Sequence, residues 1–175
     1  MKQVVGAENV HAWIVTTPSH PGRPSHAAVS PIEIWGLSPL ERLRRSLRAA
    51  GVPDDQIHTG AAAAATAQDV QVILLRADYV FDERLIRALI EQKPTRDVVL
   101  VDPDNQTAVG AVTTSDQLYA VLPFFLDAAE IPTGQCSRSN KINYFEPAAL
   151  VSAYSPVLRK IDQPYLLPIR SEKLA

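Results

Sequence analysis

One cysteine in 175 residues is too few for an internal disulfide or a thiolate metal centre. This usage fits a reducing compartment, and Cys136 itself reads as a small, half-buried apolar side chain. Charge of either sign is also not in excess: 17 Lys and Arg stand against 19 Asp and Glu, a formal net charge of −2. Without an overall basic field, nucleic acid is excluded as an expected partner. No apolar run approaches the roughly 20 residues of a membrane-spanning helix. The segment Met1-Lys2-Gln3-Val4-Val5-Gly6-Ala7-Glu8 has no apolar core of signal-peptide length. A soluble cytoplasmic chain is expected. Three motifs are missing as well: no G-x-G-x-x-G follows the first strand, no Gly-Lys-Ser/Thr makes a P-loop, and no G-x-S-x-G makes a nucleophile elbow. Their absence argues against a dinucleotide dehydrogenase, a P-loop NTPase and a serine hydrolase.

What is present is 46% hydrophobic and 21% charged sequence, enough for one globular core and too short for a second full domain. Val10-His11-Ala12-Trp13-Ile14-Val15 reads as a buried strand, stopped by the Pro- and Gly-bearing loop of residues 16–30. Ser38-Pro39-Leu40-Glu41 opens a helix with a capping Ser, a first-turn Pro and a Glu placed for a capping box. Leu40, Leu43 and Leu47 share its apolar face, Arg42, Arg44, Arg45 and Arg48 lie mostly outside that face, and Gly51 ends it. Gln56-Ile57-His58 reads as a short strand, and the alanine-rich residues 61–67 have helix propensity.

Val70-Gln71-Val72-Ile73-Leu74-Leu75 is the strongest strand signal, continuous enough to belong in the middle of a parallel sheet. Asp82 is placed to cap a helix with Leu85, Ile86, Leu89 and Ile90 as its stripe, closed by Lys93-Pro94. Residues 97–101 read as a strand, with a polar turn at 102–105 and a return strand at 109–112. Ser115 is placed to cap a helix through Leu118, Val121, Leu122, Phe125 and Leu126. After Ile131 the pattern is irregular, with one short helix near 147–154. Strands alternating with helices predict a three-layer α/β/α sandwich with a mostly parallel central sheet.

Open parallel sheets bind ligands beyond the carboxyl ends of their strands. Three elements are expected there: the loop of residues 16–30, Gly60 with the alanine stretch, and Asp78. In the loop, Gly22 gives backbone amides access to a phosphate, and Arg23 offers a planar multi-donor cation. His20 and His26 lack a third zinc ligand at a familiar spacing and read as exposed loop residues. Asp78, following the central strand, suits a hard cation such as Mg2+, or equally the cap of a turn.

In the order of these motifs the chain resembles the sugar-phosphate nucleotidyltransferase superfamily, whose members move a nucleoside monophosphate from an NTP to a phosphorylated sugar or polyol. Gly36-Leu37-Ser38-Pro39-Leu40-Glu41-Arg42-Leu43 resembles the segment that starts the family's first helix. Gly60-Ala61-Ala62-Ala63-Ala64 resembles the turn that meets the nucleobase. Ile73-Leu74-Leu75-Arg76-Ala77-Asp78-Tyr79-Val80-Phe81, in which the central strand ends, resembles the strand whose terminal aspartate holds magnesium. The resemblance implies nucleotide contacts at Gly22, Arg23, Gly60 and Ala61, and Mg2+ at Asp78. It covers residues 9–130 and departs in the first loop. The family's Gly-x-Gly-Thr-Arg is reduced to Pro21-Gly22-Arg23, and its lysine is missing around Val29-Ser30-Pro31-Ile32-Glu33. Loss of that cation predicts a weak or inactive transferase, and no residue is assigned a catalytic role.

Residues 147–150 and 157–168 resemble the segment that joins a cytidylyltransferase-like domain to a membrane CDP-alcohol phosphatidyltransferase. That resemblance implies a nucleotidyltransferase-like domain over residues 1–157 and a joining segment over 158–175. A phosphatidyltransferase of phospholipid synthesis, anchored in the inner membrane, is expected beyond it. CTP or a CDP-alcohol is then the expected ligand and a polyol phosphate the expected acceptor. The alternative is a non-catalytic module that regulates the membrane enzyme or forms a homodimer.

Overall fold

The computed structural model describes residues 10–16, 33–60, 70–92, 96–126, 142–155 and 160–169. The strands are β1 (Val10–Val15), β2 (Ile57–Thr59), β3 (Gln71–Arg76), β4 (Tyr79–Phe81), β5 (Asp97–Asp102), β6 (Thr107–Thr114), β7 (Ile142–Phe145), β8 (Tyr154–Ser155), β9 (Lys160–Ile161) and β10 (Leu166–Pro168). The helices are α1 (Pro39–Ala49), α2 (Glu83–Glu91), α3 (Leu118–Val121), α4 (Pro123–Leu126) and α5 (Pro147–Leu150).

Six strands form the central sheet in the order β2-β1-β3-β6-β5-β7. The pairs β1/β2, β1/β3 and β5/β7 are parallel, and β6 alone runs against its neighbours β3 and β5. The expected mostly parallel sheet is therefore present, with the return strand at its centre. Two apolar clusters cover its faces. On one, Leu43 and Leu47 of α1 and Leu85, Ile86 and Leu89 of α2 pack on Ala12, Ile14, Ile73, Leu75 and Leu100. On the other, Leu118, Val121 and Phe125 pack on Trp13, Val72, Leu74, Val99 and Ala111. This is the three-layer α/β/α sandwich, and full burial of each such Leu or Phe contributes roughly 1.5–3 kcal/mol.

Local chemistry sets the element ends. Ser38 Oγ accepts the Glu41 amide at 3.2 Å, while the Glu41 carboxylate turns to Arg45 at 3.3 Å instead of completing a capping box. Gly51 ends α1 at φ +98°, a left-handed conformation that favours glycine. Asp82 caps α2 by accepting the Arg84 amide at 2.9 Å. Gly110 in β6 sits close under α2: a Cβ there would lie 3.2 Å from Leu89 Cδ1.

Four expectations need correction. Ser115 does not cap a helix through Leu126; residues 115–117 form a 3-10 turn, and the Ser115 hydroxyl is buried without a partner among the described residues. The helix is broken into α3 and α4 at Pro123, which lacks the amide needed to continue it. The chain after β3 does not simply end a strand: it turns at Ala77-Asp78 and starts β4, which pairs antiparallel with β10 from the tail. The irregular tail also contains β7, an edge strand of the main sheet, and α5 is shorter than the helix expected near 147–154. Among the described residues no helix is long and apolar enough to cross a membrane.

Candidate functional site

Because β1, β2 and β3 are parallel, their carboxyl ends lie on one edge of the sheet. Two backbone bonds hold this edge together. The Gly60 amide donates to Ile14 O at 3.2 Å, and the Ala77 amide donates to Val15 O at 3.0 Å. Gly60, at φ +108°, has nothing among the described residues within 4 Å of where a Cβ would stand, and the chain leaves β2 in a backbone conformation that favours glycine. Gly60 and the Ala77-Asp78 turn flank β1, two strand spacings apart, or about 10 Å. The sequence-predicted residues Gly60 and Asp78 thus share an edge. Gly22, Arg23 and Ala61 lie outside the described residues, as do His20, His26, Cys136 and the alanine helix expected over 61–67.

A compact polar cluster occupies the β3 side of this edge. Arg76, the last residue of β3, grips Asp78 with a two-pronged fork: Nε donates to Oδ1 at 2.8 Å and Nη2 to Oδ2 at 2.6 Å. The pair is mostly buried, at 13% and 17% side-chain exposure, so solvent screens it little. Burial pulls the Arg76 pKa down, but the hydrogen bonds and charge of Asp78 outweigh that and hold it above the usual arginine value. The guanidinium also lies 5.6 Å from the centre of the Tyr79 ring. The Tyr79 hydroxyl donates to Asp102 Oδ2 at 2.8 Å. Burial first, then the Asp102 bond and charge, push the Tyr79 pKa far up, so this hydroxyl remains a donor at neutral pH. Asp102, at the end of β5, is buried and also accepts Asn105 Nδ2 at 2.6 Å and the Asp104 amide at 3.0 Å.

This arrangement tests the Mg2+ expected at Asp78. Mg2+ wants near-octahedral oxygen ligands at about 2.0–2.1 Å. Both Asp78 oxygens are engaged by Arg76, and both Asp102 oxygens by neutral donors. Among the described residues no group of three or more His, Cys, Asp or Glu side chains is placed to hold a metal. As arranged, the residues do not fit a resident Mg2+. What they form is a fixed cation shielded by carboxyl groups. Sequence reasoning missed Arg76, Tyr79 and Asp102. The available signals were an arginine closing an otherwise apolar strand and an aspartate ending β5 as Asp78 follows β3.

A second polar group sits between β1 and β2. His11 Nδ1 and His58 Nε2 are 3.2 Å apart, their rings stack at 5.4 Å, and Trp13 tilts over His58 at 4.6 Å. Burial, then the charge of His58, lower the His11 pKa, and Asp55 opposes them.

Sheet order, reversed β6 and helical layers on both faces together define a nucleotidyltransferase-like α/β fold. Among solved structures the chain is similar to HddC from Yersinia pseudotuberculosis, crystallised with GMP-PN. The TM-score is 0.50 and the identity 11%, over 91% of this chain and 93% of HddC. No family model and no curated protein matches the chain.

Proposed function

We propose that this chain is a nucleotide-binding domain with a weakened or lost transferase activity, working beside a membrane CDP-alcohol phosphatidyltransferase of phospholipid synthesis. The observation that carries the reading is the shared edge of β1, β2 and β3, where Gly60 and the Asp78 turn flank one strand end within a nucleotidyltransferase-like fold. HddC holds its nucleotide GMP-PN in such a fold, which supports a nucleotide as the ligand class. CTP or a CDP-alcohol is the nucleotide favoured by the likeness of residues 157–168 to a phosphatidyltransferase joining segment. Gly22 and Arg23 would meet the phosphates, and Gly60 and Ala61 the base. The joining segment of residues 158–175 would lead to the inner-membrane enzyme, with the domain on the cytoplasmic side.

Weak chemistry follows from charge. Transfer to a polyol phosphate brings two anionic groups together and needs several fixed cations or amide donors. The loop of residues 16–30 has few glycines, its lysine is missing, and the Arg76 charge is already committed to Asp78. Losing one such donor costs on the order of 10²–10³ in rate. Calorimetric titration with CTP, CDP-alcohols and other nucleotides tests the binding half. Saturable CTP binding, weakened by Gly60→Val, is expected, and no heat from any nucleotide refutes it. Pyrophosphate release from CTP with assorted polyol phosphates tests the other half, and brisk turnover refutes the inactive reading.

The rival, a non-catalytic dimerisation or regulatory module, is favoured by the exposed side chains of Trp35 (78%) and Ile161 (76%). Trp35 stands at φ 53°, a conformation that is unusual for a bulky residue, and Arg42 lies 4.3 Å from the ring centre. Sedimentation equilibrium distinguishes the two: a dimer dissociated by Trp35→Ser, with no nucleotide binding, supports the rival.

A further inference from the structure

We propose that Arg76 is a built-in counter-cation: it occupies the Asp78 oxygens that a divalent metal would need, so this edge of the sheet carries a fixed guanidinium in place of a metal ion. The inference rests on the nucleotidyltransferase-like reading only for the expectation that an acid at Asp78 should be a metal ligand. Its physical content is independent of any nucleotide.

Geometry excludes casual contact. Two nearly parallel bonds of 2.8 and 2.6 Å from Nε and Nη2 match the guanidinium fork to the carboxylate fork, the arrangement in which an arginine is held most specifically. The partners are two residues apart across the turn that ends β3, and the Ala77 amide between them is tied to Val15 O at 3.0 Å. The backbone therefore presents the carboxylate to the guanidinium, and neither side chain needs a long excursion. Tyr79 flanks the guanidinium and is itself fixed to Asp102, so the second acid of the cluster is held by neutral donors.

Charge then decides the competition. A guanidinium stays protonated at every accessible pH. A metal ion bound about 2.1 Å from either Asp78 oxygen would lie within about 4 Å of that charge, in a site too buried for water to screen the repulsion. Arg76 must leave before a metal can enter. The consequence is a reversal of the usual mutational logic: deleting a side chain frees the Asp78 carboxylate and strengthens metal binding.

The test is a titration of the whole chain with Mn2+ alone, without nucleotide, read as the fall in the electron-paramagnetic signal of the free ion. The wild type is expected to show no saturable site below about 10 mM, whereas Arg76→Ala binds at least about tenfold more tightly, in the millimolar range that one freed carboxylate and water ligands support. The double variant Arg76→Ala/Asp78→Asn loses the gain. Circular dichroism reports whether each variant is folded. If Arg76→Ala is not, Arg76→Gln, which keeps a hydrogen-bonding side chain without charge, is expected to show the same gain. Saturable binding below about 10 mM by the wild type that Asp78→Asn abolishes would overturn the proposal. So would a folded Arg76 variant with no gain, or a gain that survives removal of Asp78. Failure of CTP binding touches the proposed function and leaves this result standing.

Discussion

The Tyr79 hydroxyl donates to Asp102 across 2.8 Å, and in doing so links the start of β4, just past the end of β3, to the end of β5, although β3 and β5 are not neighbours in the sheet. The antiparallel β6 lies between them, so the hydrogen bond bridges the carboxyl edge over the start of the reversed strand.

Two substitutions separate the contributions to this bridge. Tyr79→Phe removes one donor from Asp102, which still accepts Asn105 Nδ2 and the Asp104 amide, so a loss of about 1 kcal/mol is expected. Asp102→Ala takes the acceptor from all three donors and leaves a space, for which about 3 kcal/mol is expected. Urea unfolding followed by circular dichroism measures both, and equal losses would contradict the assignment.

Breaking the Arg76–Asp78 pair from the acid side leaves a permanent cation in a mostly buried place. Asp78→Asn is expected to cost up to about 3 kcal/mol in urea unfolding. A loss within error would mean that the fork is not maintained in solution.

The fold was legible where burial is uniform, and the site was not. The apolar run ending at Leu75 and the chain from Val10 to Val15 are covered on both faces, and that demand appears directly as sequence. The Ser38 and Asp82 caps were readable because each acts within three residues of itself. β7 and β10 were missed because Ile142-Asn143-Tyr144-Phe145 and Leu166-Leu167-Pro168 are short, partly exposed, and become strands only by pairing with β5 and β4. Gly60 and Asp78 were placed from topology. Their surroundings were not readable, since the Tyr79–Asp102 contact spans 23 residues and depends on where β6 enters the sheet.

Asp82 is both helix cap and ion-pair partner. Its Oδ1 accepts the Arg84 amide at 2.9 Å, and Arg84 Nη2 reaches Oδ2 at 2.7 Å while its Nη1 donates to Asp162 O at 3.0 Å. The Asp82 amide donates to Tyr165 O at 2.9 Å, so this residue also anchors the tail beside β4. Burial alone would raise the Asp82 pKa, but the hydrogen bonds from Arg84 outweigh it and hold it below the ordinary value. Asp82→Ala is expected to lose about 1–2 kcal/mol at neutral pH, chiefly the cap. Asp82→Asn, which can still cap, is expected to lose less. The difference between wild type and Asp82→Ala should shrink only as the pH falls through the depressed pKa, which acid titration of the unfolding midpoint checks.

The last prediction concerns His11 and His58, whose facing nitrogens are 3.2 Å apart between β1 and β2. With both rings neutral, one nitrogen donates and the other accepts, and Trp13 closes the stack. Protonating His11 in the folded chain is disfavoured, first by burial and then by His58, with Asp55 only partly offsetting them. Its folded pKa therefore lies below the ordinary value of 6.5, and below that value the unfolded chain binds the proton more readily. Stability from this group is full above the ordinary histidine pKa and is lost as the pH falls through it toward the depressed one. The opposite sign, a domain strengthened by mild acid, would require an acidic partner stronger than burial. Urea midpoints measured from about pH 7.5 to about pH 5.5 should fall for the wild type, and His11→Gln should flatten that slope. Asp82 does not confuse the reading, because its depressed pKa places its own transition in more acidic solution. A wild-type midpoint that rises toward acid, or a slope unchanged by His11→Gln, would remove the histidine pair as its cause.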